Sequence, residues 1–535
     1  MKFFKRSTNR EKVTVTTVYL VFLIIGIVAF KDFGISVDEW ELRILGFANL
    51  KYVMSLVFPA GIQNLEKILS IPELSDYLGT HGAIYSMPMA FIEYFWNITD
   101  SQKYYFFRHY INHFIFLVAN FYFFLLVKER FDSWIYGITG AIFLFLSPRI
   151  FAESFYNHKD IIFLSLFIIN LYYGINFLKN PNFKNSLLFS ITTALAIDIR
   201  IMGIIIIPVI ILATYIKYSK NIKKILPFLL SYFILLPLFI VIFWPYLWEN
   251  PIMNFIKVFG TLSSFPHTGY NFYLGDYHLA SYTPWHYIFV WIFITTPILY
   301  LLLFIYGFFN LSLYIIKTNN LHSKLRKNTR IEDLVFYFLF ISPIIIVILL
   351  NSTIYNGWRH LYFIYPCLLL ISLHGLDLLR KKYSEKKSRL LLIIIAIFLL
   401  QITFSMIKHH PFQNVYFNML AGKEIEKKFE MDYWGLSNKQ ALDYILKMEN
   451  KKLIKIGSAG PISIENSKKI LNVKKRNRIK VTDNKDADYI IDNYINWHGK
   501  YKKSEHLIPN NFEIYKEIFV NNMRILSIYK KNETL

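Results

Sequence analysis

The amino-acid sequence predicts a mainly α-helical protein that crosses a membrane about eleven times and carries a small carboxyl-terminal α/β domain. Three observations support this fold class. Apolar runs long enough to cross about 30 Å of hydrocarbon recur through the first four hundred residues. Lysines and arginines gather in the short loops between these runs. From residue 408 onward, charged residues become frequent and the long apolar runs stop.

The composition agrees with a membrane protein and disfavours a soluble one. Of the 535 residues, 55% are hydrophobic and only 18% are charged, whereas soluble chains carry about 25% charged residues. The formal net charge of +23 would suit a nucleic-acid partner. Many of the basic residues flank apolar runs, however, where they orient spans, so no nucleic-acid partner is predicted. The single cysteine, Cys367, leaves no intrachain disulfide.

The spans are placed on the apolar runs and oriented by the basic clusters beside them. All large clusters fall on one side, which places the amino terminus in the cytoplasm and the carboxyl-terminal part outside. The first run lacks a small-residue cleavage site, so it is predicted to be a retained span and not a signal peptide. The predicted spans are 13–30, 110–127, 134–150, 160–178, 186–199, 202–216, 225–244, 286–316, 334–350, 359–378 and 390–407.

Two long segments, 31–108 and 245–285, are predicted to lie on the outer side. The apolar stretches 42–59 and 84–96 in the first segment are broken by proline and charged residues, which is typical of helices lying along the membrane interface. A true span at 84–96 is the alternative, but this stretch is short and would invert the charge pattern downstream. The second segment mixes aromatic and polar residues, which suits a carbohydrate or a plain interfacial loop.

The chain is therefore predicted to divide into a membrane domain, 1–407, and an extracytoplasmic α/β domain, 408–535. A helix is predicted over 438–448 with Ser437 as its cap. Asn521-Asn522 is predicted to form a tight turn between the last two strands. The predicted strands are 453–456, 487–491, 513–520 and 523–529.

The first candidate for chemistry is the pair Asp38-Glu39, just beyond the outer end of the first span. A carboxylate at this place could take the proton from a hydroxyl group or align that group with a reacting carbon. The alternative is an exposed acidic turn after a helix.

The second candidate is the outer loop 147–160, which packs acids, bases and aromatic residues between two spans. Such a mixture suits a pocket for a polar substrate, and Arg149, Lys159 and Asp160 are its candidate residues. Charged residues at a membrane boundary often only snorkel, and Asp160 could simply complement the amino end of a helix.

The third candidate is the stretch 355–363 at the outer start of the tenth span. Arg359 at this depth could make a fork of hydrogen bonds to a phosphate, with His360 beside it. The alternative is an interfacial anchor of Trp, Arg and Tyr. Arg200, between two spans, is a functional candidate for the same reason of placement.

The sequence has no phosphate-cradling glycine-rich loop, Walker motif, paired-cysteine site or nucleophile elbow, so a nucleotide-driven pump is disfavoured. No metal-ligand pattern is present, and no metal site is predicted. No cofactor is certain.

Four stretches of the sequence, the three candidates above and one after the last predicted span, together resemble the integral-membrane glycosyltransferases of the GT-C fold. The similarity is to the bacterial family-39-like group, related to protein O-mannosyltransferases and aminoarabinose transferases. It is carried by Asp38-Glu39, by 147–160, by 355–360 leading into Pro366, and by 410–418 with 432–435.

The resemblance implies a donor sugar, a hexose or pentose, linked to polyprenyl phosphate, and a glycan, lipid or protein acceptor at the outer face of a bacterial cytoplasmic (inner) membrane. Some relatives use a divalent cation, so one is left open here. Asp38 would activate the acceptor unless Glu39 does, and cationic side chains would bind the lipid phosphate. The predicted catalytic residues are Asp38, Glu39 and Asp160, and the predicted substrate-binding residues are Arg359, His360, Lys159, Arg200 and Arg149.

Two other readings share the predicted spans and outer cations. A transporter or flippase for a lipid-linked sugar would be expected to show internal repeats or broken helices near the middle of the membrane, and the sequence shows neither. A non-catalytic membrane scaffold with a partner-binding outer domain is the second alternative.

Overall fold

The computed structural model describes residues 8–66, 70–74, 79–263, 267–317, 331–496 and 507–532. The basic residues before residue 8 and the basic stretch 318–330, which contributed to the predicted orientation, lie outside these ranges.

Most of the described chain is helical. The helices of the membrane part are α1 Asn9–Ala29, α2 Glu39–Val57, α3 Ile62–Glu66, α4 Ser86–Phe95, α5 Ser101–Phe131, α6 Trp134–Phe145, α7 Pro148–Tyr156, α8 Asp160–Lys179, α9 Phe183–Ile199, α10 Ile206–Tyr218, α11 Ile222–Phe243, α12 Pro251–Ser263, α13 Tyr287–Thr295, α14 Ile298–Lys317, α15 Ile331–Leu349, α16 Tyr365–Lys382 and α17 Glu385–Lys408.

The protein is a multi-pass membrane protein, but the predicted count of eleven spans is not confirmed. Among the described residues, eight helices are long and apolar enough to cross a membrane, or nine if one bent pair counts as a span. The predicted fifth span corresponds to α9, which has only 17 residues. The predicted sixth and seventh spans belong to one helical path of 43 residues, Ile201–Phe243.

The predicted third span is broken, and the break shapes the outer part of the molecule. Helices α6 and α7 meet at Leu146-Ser147 and are bent by 68°. Pro148 occupies the first turn of α7, where its missing N–H has no helical partner to lose. After the bend, α7 packs on α5 and on the segment after α17: Ser154 Oγ lies 2.7 Å from His113 Nδ1, and Arg149 Nε donates to the Tyr416 carbonyl at 3.1 Å. The apolar sequence 134–150 predicted a single span.

The two predicted interfacial stretches are helices, α2 and α4. Arg43 of α2 and Arg108 of α5 both pair with Glu93 of α4, whose side chain is fully buried. Because a buried carboxylate without a partner would be costly, these two pairs fix α2 against α4 and α5.

The carboxyl-terminal part holds a five-stranded sheet in the order β4-β3-β5-β7-β6. Strand β3 is parallel to β4 and β5, and β7 is antiparallel to β5 and β6. The predicted turn at Asn521-Asn522 is confirmed, since both residues have positive φ, as a tight hairpin requires. Outside this sheet, a short hairpin of β1 and β2 lies in the second outer segment. The remaining elements are β1 Tyr270–Tyr273, β2 Asp276–Leu279, α18 Ser437–Met448, β3 Ile454–Ser458, α19 Ile464–Ser467, α20 Val473–Arg476, β4 Ile479–Val481, β5 Tyr489–Asp492, β6 Phe512–Val520 and β7 Met523–Lys531.

The prediction that Ser437 caps α18 is wrong, because the helix begins at Ser437 itself. The Ser437 N–H donates to Asp432 Oδ2 at 2.8 Å, so a carboxylate five residues earlier satisfies this end of the helix.

The sheet-bearing part is docked on the connection between α1 and α2. Lys439 Nζ donates to the Asp32 carbonyl at 3.0 Å. A Cβ atom on Gly34 would lie 2.4 Å from the Leu436 carbonyl oxygen, so only glycine permits this approach. The division at residue 408 stays a prediction, but the two parts pack directly on each other.

Candidate active site

A cavity of about 340 Å³ lies where the start of α2, the start of α8 and the segment before α16 meet. Its lining combines charged and polar side chains with apolar ones. The charged and polar group, called the ionic end here, is Asp38, Glu41, Lys159, Arg200, Arg359 and His360, and the apolar lining includes Ile201, Met202, Ile205, Phe259, Val347 and Leu350.

Arg359 joins the two predicted acidic positions. Its Nη1 lies 2.9 Å from Asp38 Oδ2 and 3.3 Å from Asp160 Oδ2. Arg200 pairs with the other oxygen of Asp160. The Asp160 side chain is 1% exposed, whereas that of Asp38 is 36% exposed. Asp160 is therefore a buried anchor for two arginines, and Asp38 can be reached from the cavity.

Asn157, between α7 and α8, holds Asp160 in place. Its Oδ1 accepts the Asp160 N–H at 2.9 Å, and its Nδ2 donates to Asp160 Oδ2 at 3.0 Å. The same amide donates to Glu153 Oε2 at 2.8 Å. This loop is satisfied by its own side chains, a common use of asparagine at a helix start.

The two adjacent carboxylates of Asp38-Glu39 have different surroundings. Glu39 is fully buried, does not line the cavity, accepts the Ser36 N–H at 2.6 Å and lies 2.9 Å from His109 Nε2. Consecutive side chains at a helix start point in different directions, since each residue turns the helix by about 100°. Of the pair, only Asp38 faces the cavity.

Arg149 does not reach the cavity. Its Nε donates to the Tyr416 carbonyl at 3.1 Å, and its guanidinium lies over the rings of Phe417 and Trp291 at 4.7 and 5.3 Å. These contacts link α7 to the segment after α17 and to α13.

Burial shifts the pKa values of Lys159 and Glu41 at the ionic end. Burial, together with the positive charge of Arg200, lowers the pKa of Lys159 to about 7. Burial raises the pKa of Glu41, and the neighbouring Asp38 carboxylate raises it further. Sequence reasoning missed Glu41, although its position one helical turn after Asp38 could have drawn attention to it.

Three further polar residues surround the site without having been singled out from the sequence. Glu153 accepts the Tyr362 hydroxyl at 2.7 Å and the Tyr433 hydroxyl at 3.2 Å. No local signal joins positions so far apart in the chain. Across the described parts of the chain, no group of three or more His, Cys, Asp or Glu side chains is placed to hold a metal ion.

Residues 89–244 match the family model described as dolichyl-phosphate-mannose-protein mannosyltransferase. The matched segment contains Arg149, Lys159, Asp160 and Arg200, but neither Asp38 nor Arg359. This match confirms the predicted resemblance to the family-39-like group over that segment. It supports the class predicted from the sequence, a GT-C fold membrane glycosyltransferase.

No curated protein matches the chain. Two solved structures that align with nearly all of it are of ArnT from Cupriavidus metallidurans. The one bound to undecaprenyl phosphate has a TM-score of 0.46 at 10% identity and covers 98% of each chain. The apo structure has a TM-score of 0.49 at 10% identity and covers 96% of this chain and 98% of that chain. Similarities with TM-scores below 0.5 carry no inference about the site.

Proposed function

We propose that this protein transfers a monosaccharide from a polyprenyl-phosphate donor to an acceptor hydroxyl at the outer face of a bacterial inner membrane. The observation that carries the proposal is that one cavity is lined both by a cluster of charged side chains and by apolar side chains. A lipid-linked sugar phosphate needs both kinds of lining, since its phosphate is anionic and its tail is hydrocarbon. The apolar wall would receive the first isoprene units of the tail, and the ionic end the phosphate and sugar.

Lys159 is the cation best placed to receive the phosphate. Both cavity arginines already pair with carboxylates: Arg200 with Asp160, and Arg359 with Asp160 and Asp38. Within the described residues, no carboxylate lies within ion-pairing distance of the Lys159 amine, so an incoming phosphate would supply its counter-charge. Arg359 and Arg200 then stabilise the negative charge that grows on the departing phosphate.

Asp38 is proposed as the group that holds or deprotonates the acceptor. The acceptor oxygen attacks the anomeric carbon and loses its proton to Asp38, and the carbon–oxygen bond to the phosphate breaks. The lipid monophosphate leaves with the electrons of that bond, and attack from the opposite face inverts the anomeric configuration. The exposed face of the Asp38 carboxylate provides the access that this step requires.

The proposal predicts a pH-dependent affinity for polyprenyl phosphate. Below pH 7 the Lys159 amine is charged and attracts the phosphate, and above it the charge is lost. The phosphate itself gains charge as pH rises through about 6, so the wild type is compared with Lys159→Arg, whose cation does not titrate. Between pH 6 and pH 9, the affinity of the wild type for polyprenyl phosphate should fall about tenfold relative to that of the variant. Equal slopes would remove Lys159 from the phosphate site.

The decisive test of the function is the release of free polyprenyl phosphate from a labelled donor by the purified protein. Polyprenyl-phosphate hexose and pentose donors are incubated with membrane extracts that supply glycan, lipid and protein acceptors. A transferase releases the lipid phosphate and labels one class of acceptor. A flippase or a scaffold does neither, so labelled donor that stays intact with every acceptor class would exclude the transferase.

A further inference from the structure

The segment 429–437, which follows the membrane helices, contacts Arg359 of the ionic end through the side chain of Trp434. The indole of Trp434 lies 4.6 Å from the Arg359 guanidinium carbon, and the Tyr355 ring lies 4.8 Å from the same carbon. Trp434 is only 1% exposed and does not line the cavity. The indole therefore contacts the arginine without standing in the way of a ligand.

The neighbouring residue, Tyr433, contacts a chain of hydrogen bonds and ion pairs whose other end is Arg359. Its hydroxyl donates to Glu153 Oε1 at 3.2 Å. The Asn157 side-chain amide donates hydrogen bonds to Glu153 and to Asp160, and Asp160 forms an ion pair with Arg359. The pair Tyr433-Trp434 thus contacts both ends of a network that runs through the site.

The backbone around this pair is held firmly. The Asp432 carboxylate accepts the Ser437 N–H at 2.8 Å and the Asn414 side-chain amide at 3.1 Å. Gly435 has a φ of +73°, and a Cβ atom there would lie 2.6 Å from the side chain of Ile462, so other residues are disfavoured. The turn that follows Trp434 is therefore fixed independently of the cavity.

We propose that Tyr433-Trp434 is a positioning element that fixes Arg359 for the donor phosphate, an inference that rests on the proposed function. A guanidinium packed on two aromatic rings is restrained in orientation, while its N–H groups, which lie in the guanidinium plane, stay available to carboxylates and phosphate. Trp434 touches the arginine and no reacting atom, so its effect passes entirely through Arg359. The carboxyl-terminal part of the chain is then a component of the donor site.

The test compares binding of polyprenyl phosphate with binding of polyprenol, which has the same tail and no phosphate, to the full-length protein in lipid nanodiscs. Trp434→Ala should weaken polyprenyl phosphate binding about tenfold and leave polyprenol binding unchanged. Trp434→Phe, which keeps an aromatic face, should restore affinity to within about twofold of the wild type. Trp434→Leu replaces Trp434→Ala if the smaller side chain prevents folding.

Phe429→Ala is the matched control in the same segment. Phe429 is 2% exposed and packs on Tyr273, Trp291 and Phe417, away from Arg359. Its loss should lower thermal stability without changing the preference for phosphate. An equal loss of that preference in Phe429→Ala, or an unchanged preference in Trp434→Ala, would overturn the positioning role alone. A wild-type protein that binds both lipids equally would overturn the proposed function and this role together.

Discussion

Asp38→Asn is expected to reduce sugar transfer by about 10²–10⁴-fold, the range that a positioned general base contributes. Asparagine has nearly the same shape and can still accept the hydrogen bond from Arg359, which in the wild type is 2.9 Å long. The Asp38 side chain is 36% exposed, so the change buries no unpaired group. The protein should therefore fold and insert normally while losing activity, as measured by acceptor labelling per folded molecule.

Asp32→Asn is the matched control for this experiment. Asp32 lies in the same connection between α1 and α2, and its side chain is 49% exposed. Its Oδ2 lies 2.9 Å from His410 Nε2, and Asp32 does not line the cavity. Removing its charge should leave transfer within about twofold of the wild type, because a surface ion pair contributes little. Near-normal transfer by a well-expressed Asp38→Asn protein would remove Asp38 from the mechanism.

Arg359→Ala is expected to damage both stability and donor use. The change takes a partner from Asp38 and from the buried Asp160, which keeps Arg200 as an ion-pair partner and Asn157 as a hydrogen-bond partner. Loss of one partner of a buried pair costs about 3–5 kcal/mol, and the remaining pair with Arg200 places the expected cost toward the low end of that range. The apparent affinity for the donor should fall more than that for the acceptor, since the proposed function assigns the Arg359 guanidinium to the departing phosphate.

Arg130→Ala controls for the loss of an arginine that pairs with a buried carboxylate. Arg130 Nε lies 2.6 Å from the buried carboxylate of Asp333, and neither residue lines the cavity. This variant should lose stability but keep the wild-type donor affinity in the fraction that remains folded. If Arg359→Ala and Arg130→Ala shift the donor affinity equally, Arg359 has no role in binding the phosphate.

The sequence predicted the membrane class, most helix positions and four of the seven described strands, because these depend on local periodicity and composition. The helix α8, Asp160–Lys179, lies almost where the apolar run 160–178 placed it. The break before Pro148 was missed, since a proline in the first turn of a helix leaves the apolar pattern continuous. The predicted count of eleven spans is not confirmed, and hydropathy alone does not reveal where a helical path bends.

For the site, the sequence indicated which residue types belong together but not which of them face the cavity. Asp38 and Arg359 line it, and Asp160 anchors Arg359 from behind. The choice between Asp38 and Glu39 needed the direction of each side chain, which a dipeptide does not contain. The contact of Trp434 with Arg359 depends on how distant segments pack, and a single sequence carries no signal for that.

The docking of α18 on the backbone near Asp32 and Gly34 has a consequence for how the protein is made. Ribosomes add roughly 5–20 residues per second, so the connection between α1 and α2 is synthesised roughly 20 seconds or more before Trp434. Arg359 is also translated before Trp434, so it reaches the membrane part of the chain before the indole that packs on it exists. A ribosome-bound chain therefore lacks part of the packing around Arg359 until the carboxyl-terminal segment has been made.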